Sequence, residues 1–243
     1  PKILNKSIAF VVSVIVSTLM SNILMKKILL CSSNASFGVT DPVFGFDIAF
    51  YMFQKPLIET LLIYFIGIIV GLTIYMAVYY IIIFNKYFDG VDGKMIKESL
   101  LVKKLLRNLA LIIISVALYT ALSVTNISLN KMLTIKNETA SSENIEIIGA
   151  GYTDVMVQRW GYLIFSVVIV IAALRAIKAF KNNNTSKVLK NIAIIPGYLV
   201  VMFLVIIVFN LIFVNSNKLD KEKEYLEDNI KYTKTAYNID ISE

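Results

Sequence analysis

Three aspartates and one glycine-rich turn are the residues of this chain most suggestive of chemistry. Asp41 and Asp47 bracket the segment Asp41-Pro42-Val43-Phe44-Gly45-Phe46-Asp47, with Gly38 just ahead of it. Asp154 closes a second segment, Gly149-Ala150-Gly151-Tyr152-Thr153-Asp154. Hard cations such as calcium take carboxylate and carbonyl oxygens, so Asp41, Asp47 and Asp154 would make a metal site if the two loops meet. Two glycines beside Tyr, Thr and Asp also suit a tight turn that presents backbone N–H groups and a carboxylate. The competing reading is structural, and the sequence favours it: both turns pack as a cap on the helices beneath them.

Other chemistries are excluded more firmly. Gly149–Asp154 lacks the third glycine and the βαβ context of a dinucleotide fingerprint, and no Gly-Lys-Ser/Thr follows it as in a phosphate-binding loop. No cofactor is implied. The chain has no histidine and one cysteine, Cys31, so an ordinary zinc site and an internal disulfide are both ruled out. Cys31 reads as a small apolar filler rather than a lipidated or reactive thiol. No nucleophile–base arrangement is visible, and no catalytic residue is assigned.

The elements that must carry these loops are set by five long uncharged stretches. No charge falls between Lys6 and Lys26, Glu59 and Lys86, Arg107 and Lys131, Arg159 and Arg175, or Lys190 and Lys218. A bilayer core is about 30 Å thick and needs roughly 20 apolar residues in a helix to cross it. The fourth stretch is short, but Ala176, Ile177, Ala179 and Phe180 extend it if Arg175 and Lys178 reach back to the surface. Only 17% of residues are charged, against about 25% in soluble domains. The reading is an all-α, polytopic transmembrane helix bundle of five spans, with interfacial amphipathic helices. Spans are expected at 7–25, 57–84, 108–128, 160–180 and 191–214, forming a membrane region 1–214 ahead of an amphipathic tail, 215–243.

Charge orients the bundle. With the first residue inside, inner segments hold thirteen Lys and Arg, and the outer loops before the tail hold six. The positive-inside rule then puts the N-terminus in the cytoplasm and the tail outside a plasma membrane. The net charge of +7 belongs to these span ends, and no separate basic domain exists, so nucleic acid is not an expected partner. The lipid bilayer is, and a homo-oligomer is compatible with the pattern.

Segment 94–107 places Met95, Leu101, Val102, Leu105 and Leu106 on one helix face and its cations on the other, which predicts a basic helix lying on the inner membrane surface. Gly67 and Gly71 stand at GxxxG spacing and suggest close packing inside the bundle rather than dimerisation. Pro196-Gly197 is expected to kink or loosen the last span. No Asp, Glu or His lies deep in a span, which argues against a proton relay, although Thr120, Ser123 and Thr125 could line a passage. In the tail, Leu219, Tyr225, Leu226, Ile230, Tyr232 and Tyr237 recur at rough helical spacing and predict an amphipathic helix over 218–236 that docks on a further domain or on another subunit.

Three blocks carry a likeness to a known family: FGVTDPVFGFDIAFYMF at 37–53, GAGYTDV at 149–155 and KLDKEKEYLEDNIKYTKTAYNID at 218–240. In this order and spacing they resemble the uncharacterised bacterial membrane-protein family numbered 0182. Departures are mild: Ser216-Asn217-Lys218, Glu224-Tyr225 and Asn238 stand where the family tends to have Pro-Asn-Glu, Pro-Tyr and Gly. The resemblance implies a multi-pass plasma-membrane protein with a large extracytoplasmic domain. On that reading this chain, which opens on Pro1, is a piece without the first helices or the outer domain, and the tail leads into that domain. The family implies no catalytic role for any residue. The expected function is therefore a membrane module that anchors and positions an outer domain. A transporter or channel component is the second reading, and a membrane enzyme acting on lipid or cell-wall precursors, with Asp41 or Asp154 at a metal, is the third.

Overall fold

A computed structural model describes residues 2–33, 35–87, 100–129, 131–135, 145–214, 218–237 and 239. Among the described residues, five helices are long and apolar enough to cross a membrane. They are α1 (Lys2–Ser32), α2 (Lys55–Tyr87), α3 (Leu100–Ser123), α4 (Arg159–Lys181) and α5 (Thr185–Phe209). A sixth helix, α6 (Lys218–Ala236), covers the stretch that the tail spacing predicts. The all-α expectation holds for the bulk of the chain. One short antiparallel pair was not foreseen: β1 (Lys131–Ile135) and β2 (Ile145–Ile148), joining α3 to α4.

The chain divides into two units, Pro1–Tyr64 and Phe65–Glu243. In the first, α1 overruns its expected end. Lys26 and Lys27 lie inside the helix instead of closing it, and 31 residues give a rod of about 46 Å. Lys27 is accommodated because its ammonium donates to the carbonyl of Pro56, at 3.2 Å, and to the hydroxyl of Thr60. Both acceptors lie one turn apart near the start of α2, where the Thr60 hydroxyl also donates to the Pro56 carbonyl at 2.7 Å.

In the second unit, α4 is the central helix. Its buried face reads Ser166, Ile169, Ala172, Ala173, Ala176 and Ala179, a row of mostly small side chains that lets neighbours approach closely. It packs against α3 on one side and α5 on the other. Gly161 makes the tightest contact: a Cβ there would lie 2.9 Å from Met202 Cε on α5. The Tyr198 hydroxyl donates to the Gly161 carbonyl at 2.8 Å, and Phe165 stacks on Tyr198. The reversal between α4 and α5 takes three residues, Asn182–Asn184. Asn183 has φ +55°, a left-handed conformation that asparagine tolerates, and Asn184 caps α5 by accepting the Lys187 N–H at 3.0 Å. Residues 124–129 form a 3₁₀ turn touching α4 and the segment 154–158 before it, so α3 and α4 also run antiparallel.

Residues 100–107 are not a separate surface helix; they run without a break into α3, because nothing between Arg107 and Asn108 stops a helix. Residues 94–99 of that segment lie outside the described residues. Among the described residues, a Cβ at Gly67 or Gly71 would meet nothing within 4 Å. Helix α5 continues through Pro196. The outward sides of these helices carry exposed apolar side chains, such as Val200 at 60% and Phe203 at 63%, which suits lipid as the surrounding solvent.

Candidate functional site

Each loop singled out in the sequence is organised around an acid. In the first unit the acid is Asp47. Its carboxylate accepts from the Ser36 hydroxyl and from the N–H groups of Phe37 at 3.3 Å, Gly38 at 3.2 Å and Ala49 at 2.8 Å. The Ala49 contact caps the helical turn that leads into α2. These donors, Ser36 first, hold the Asp47 carboxyl below its ordinary value near 3.8. Asp41 accepts from the Phe44 N–H at 2.7 Å and from the Tyr51 hydroxyl at 3.0 Å. The strand-like pairing of Thr40 with Asp47 closes the loop, and Gly38 and Gly45 supply the positive φ angles that its two bends require. Pro42 follows Asp41 at the start of the turn Asp41–Gly45. Phe46 packs on Phe50 at 4.6 Å between centroids, and Phe37 stacks on Phe53.

In the second unit the organising acid is Glu222 of α6, which the sequence reading did not single out. It is 5% exposed and accepts the Tyr152 N–H at 3.1 Å. A Cβ on Gly151 would lie 3.2 Å from both of its carboxylate oxygens, so a side chain there would crowd the carboxylate. Asp154 turns inward on the same segment and accepts the Gly151 N–H at 3.1 Å. Gly149 is half-buried at the bend that enters it. Around this centre, Tyr152 stacks on Phe209 and meets Tyr225 edge-on, and the Lys221 ammonium lies 5.2 Å from the Tyr152 ring. Burial, followed by the neighbouring Glu224, raises the Tyr225 phenol above its ordinary value of 10. One helical turn on, the Asn229 amide donates to the Ile148 carbonyl at 2.6 Å.

This face of α6, Glu222, Tyr225 and Asn229, therefore clasps the chain's own Ile148–Asp154 turn. The spacing alone left its partner as an outer domain or another subunit. The signal was present in principle: an acid on the apolar side of an amphipathic helix must find a donor.

The clasp joins two irregular helix ends. Residues Asp154–Gln158 and Asn210–Val214 are both π-helical turns, and the Thr153 hydroxyl donates to the Asn210 side chain. A third π-turn, Phe50–Gln54, precedes α2 in the first unit. Such turns widen the helix by one residue and re-aim the side chains beyond it.

Asp41 and Asp47 belong to one unit and Asp154 to the other, and each carboxylate is engaged by donors of its own loop. Among the described residues, no group of three or more Cys, Asp or Glu could hold a metal ion. The hydroxyls considered for a passage bond back to their own helix turn: Thr120 to the Ala117 carbonyl, Ser123 to Tyr119 and Thr125 to Leu122.

Comparison with known proteins places the chain. Residues 1–243 match the model of an uncharacterised protein family, UPF0182. A UPF0182 protein of Caldicellulosiruptor saccharolyticus is 24% identical over 241 residues, covering 98% of this chain and 25% of that protein. One from Clostridium acetobutylicum is 29% identical over 259 residues, covering 98% and 26%. One from Clostridium tetani is 27% identical over 222 residues, covering 88% and 24%. The chain thus spans about a quarter of the length of the curated relatives it matches. No solved structure matches it. Since the family match takes in both organised loops and the clasping tail, the chain belongs to the uncharacterised protein family UPF0182.

Proposed function

We propose that this chain is the membrane module of a bacterial cell-envelope protein, holding an extracytoplasmic domain at a fixed height and orientation on the plasma membrane. The observation that carries the reading is the clasp. A helix that merely trailed from the last span would not need a buried acid, a tyrosine set edge-on against another ring and an amide hydrogen bond to a distant loop. Glu222, Tyr225 and Asn229 supply all three, and together they fix the direction in which the polypeptide leaves the bundle. The charge pattern supports an outward-facing tail: cations gather at the other end of α3, α4 and α5. The longer relatives provide ample chain for an outer domain.

Cysteine labelling tests this placement on whole cells. With Cys31→Ser as background, Ser142→Cys and Lys234→Cys should react with a membrane-impermeant maleimide. Lys97→Cys should react only after permeabilisation. The reverse pattern would overturn the outward placement, and with it the anchoring role.

A further inference from the structure

The strongest unused feature is the far end of the three-helix unit. Arg175, Lys178 and Lys181 end α4, and Lys187 and Lys190 begin α5 across the three-residue turn; all five are exposed. The antiparallel packing brings the start of α3, with the exposed Lys103, Lys104 and Arg107, to the same end. No acid lies within α3, α4 or α5 to offset them, the nearest along the chain being Glu98. The sequence contains no Asp or Glu from Val155 to Asn217, nor from Ser99 to Asn137. None of the five makes an ion pair among the described residues.

Beside these cations sit exposed apolar side chains: Leu174 next to Arg175, and Leu189 next to Lys190, at 51% and 64% exposure. A soluble nucleic acid or acidic peptide would neutralise the charges and leave the leucines in water. A lipid satisfies both, with its phosphate on the cations and its acyl chains on the leucines.

We propose that this end of the α3–α4–α5 unit is a binding surface for anionic lipid headgroups, selective for phosphatidylglycerol-type lipids over zwitterionic ones. It rests on the membrane placement above but not on the side that the tail faces, so the labelling pattern and the lipid response can fail separately. Arg175 and Lys178 lie beside the buried alanine stripe of α4, so a lipid held there also braces the α4–α5 contact.

The test uses the whole chain in neutral detergent, with phosphatidylglycerol or phosphatidylcholine added at equal concentration. Thermal unfolding and native mass spectrometry give the readouts. Phosphatidylglycerol should raise the unfolding midpoint and stay bound through detergent removal; phosphatidylcholine and inorganic phosphate should do neither. Rising salt should weaken the effect in the unmodified protein, a readout that needs no variant. Lys187→Gln with Lys190→Gln should reduce retained phosphatidylglycerol by roughly fivefold or more. Lys6→Gln, far along the chain on α1, should leave it unchanged. Equal responses to both lipids, an unchanged response in the double variant, or a midpoint shift with inorganic phosphate or a short DNA duplex matching that with lipid would overturn the proposal.

Discussion

Asp47 and Glu222 show how a carboxylate can be spent on shape. Asp47 binds its loop more strongly when ionised than when protonated. Its pKa is lowered in the folded state, so its contribution is complete above the unfolded value near 3.8 and is lost as pH falls through the lower folded value. Amide protection over residues 36–49, taken as exchange relative to the intrinsic rate at the same pH, should therefore fall once the pH drops below about 4. Asp47→Asn should show faster exchange at neutral pH already, with that acid limb flattened. Glu222 is buried, and Glu222→Ala would leave the Tyr152 N–H without its acceptor, a cost of about 1–3 kcal/mol. The readout is earlier proteolytic cleavage within 215–236 together with a lower unfolding midpoint; an unchanged cleavage pattern would count against the clasp. The aspartates were visible in the sequence because turn residues surround them. Glu222 was not, because it sits among many acids in a charged tail and only three-dimensional proximity separates it from Glu224 or Glu227.

At the scale of elements, the packing depends on small residues on one helix. Gly161 faces Met202, whose terminal methyl can swing away, so Gly161→Ala should be nearly neutral. Gly161→Leu cannot be absorbed that way and should cost about 1–3 kcal/mol by prising α4 from α5. Unfolding midpoints of the two variants in one detergent check the contrast. Existence and type of the five long helices were legible from charge-free length alone, since lipid leaves few alternatives to a helix. Their ends were less so. Lysine at a boundary looks like a stop, yet Lys27 stays in α1 because Thr60 and the Pro56 carbonyl receive it. Likewise the cations of 100–107 suggested a surface helix, but a helix can leave the interface and enter the core without a break. The glycine pair in α2 drew attention by its spacing while Gly161, lacking any motif, does the packing.

For the molecule as a whole, the five long helices distribute charge unevenly, and this asymmetry is what the labelling and lipid experiments address. The chain spans about a quarter of the length of its relatives, and on the anchoring proposal α6 is where it would hand over to an outer domain. The handover is not through α5 alone. Because α6 grips the turn that opens α4, a pull on the end of α6 would divide between α4 and α5. Sideways drag is met by a broad base instead of a single hinge, so a domain mounted there would ride upright under shear.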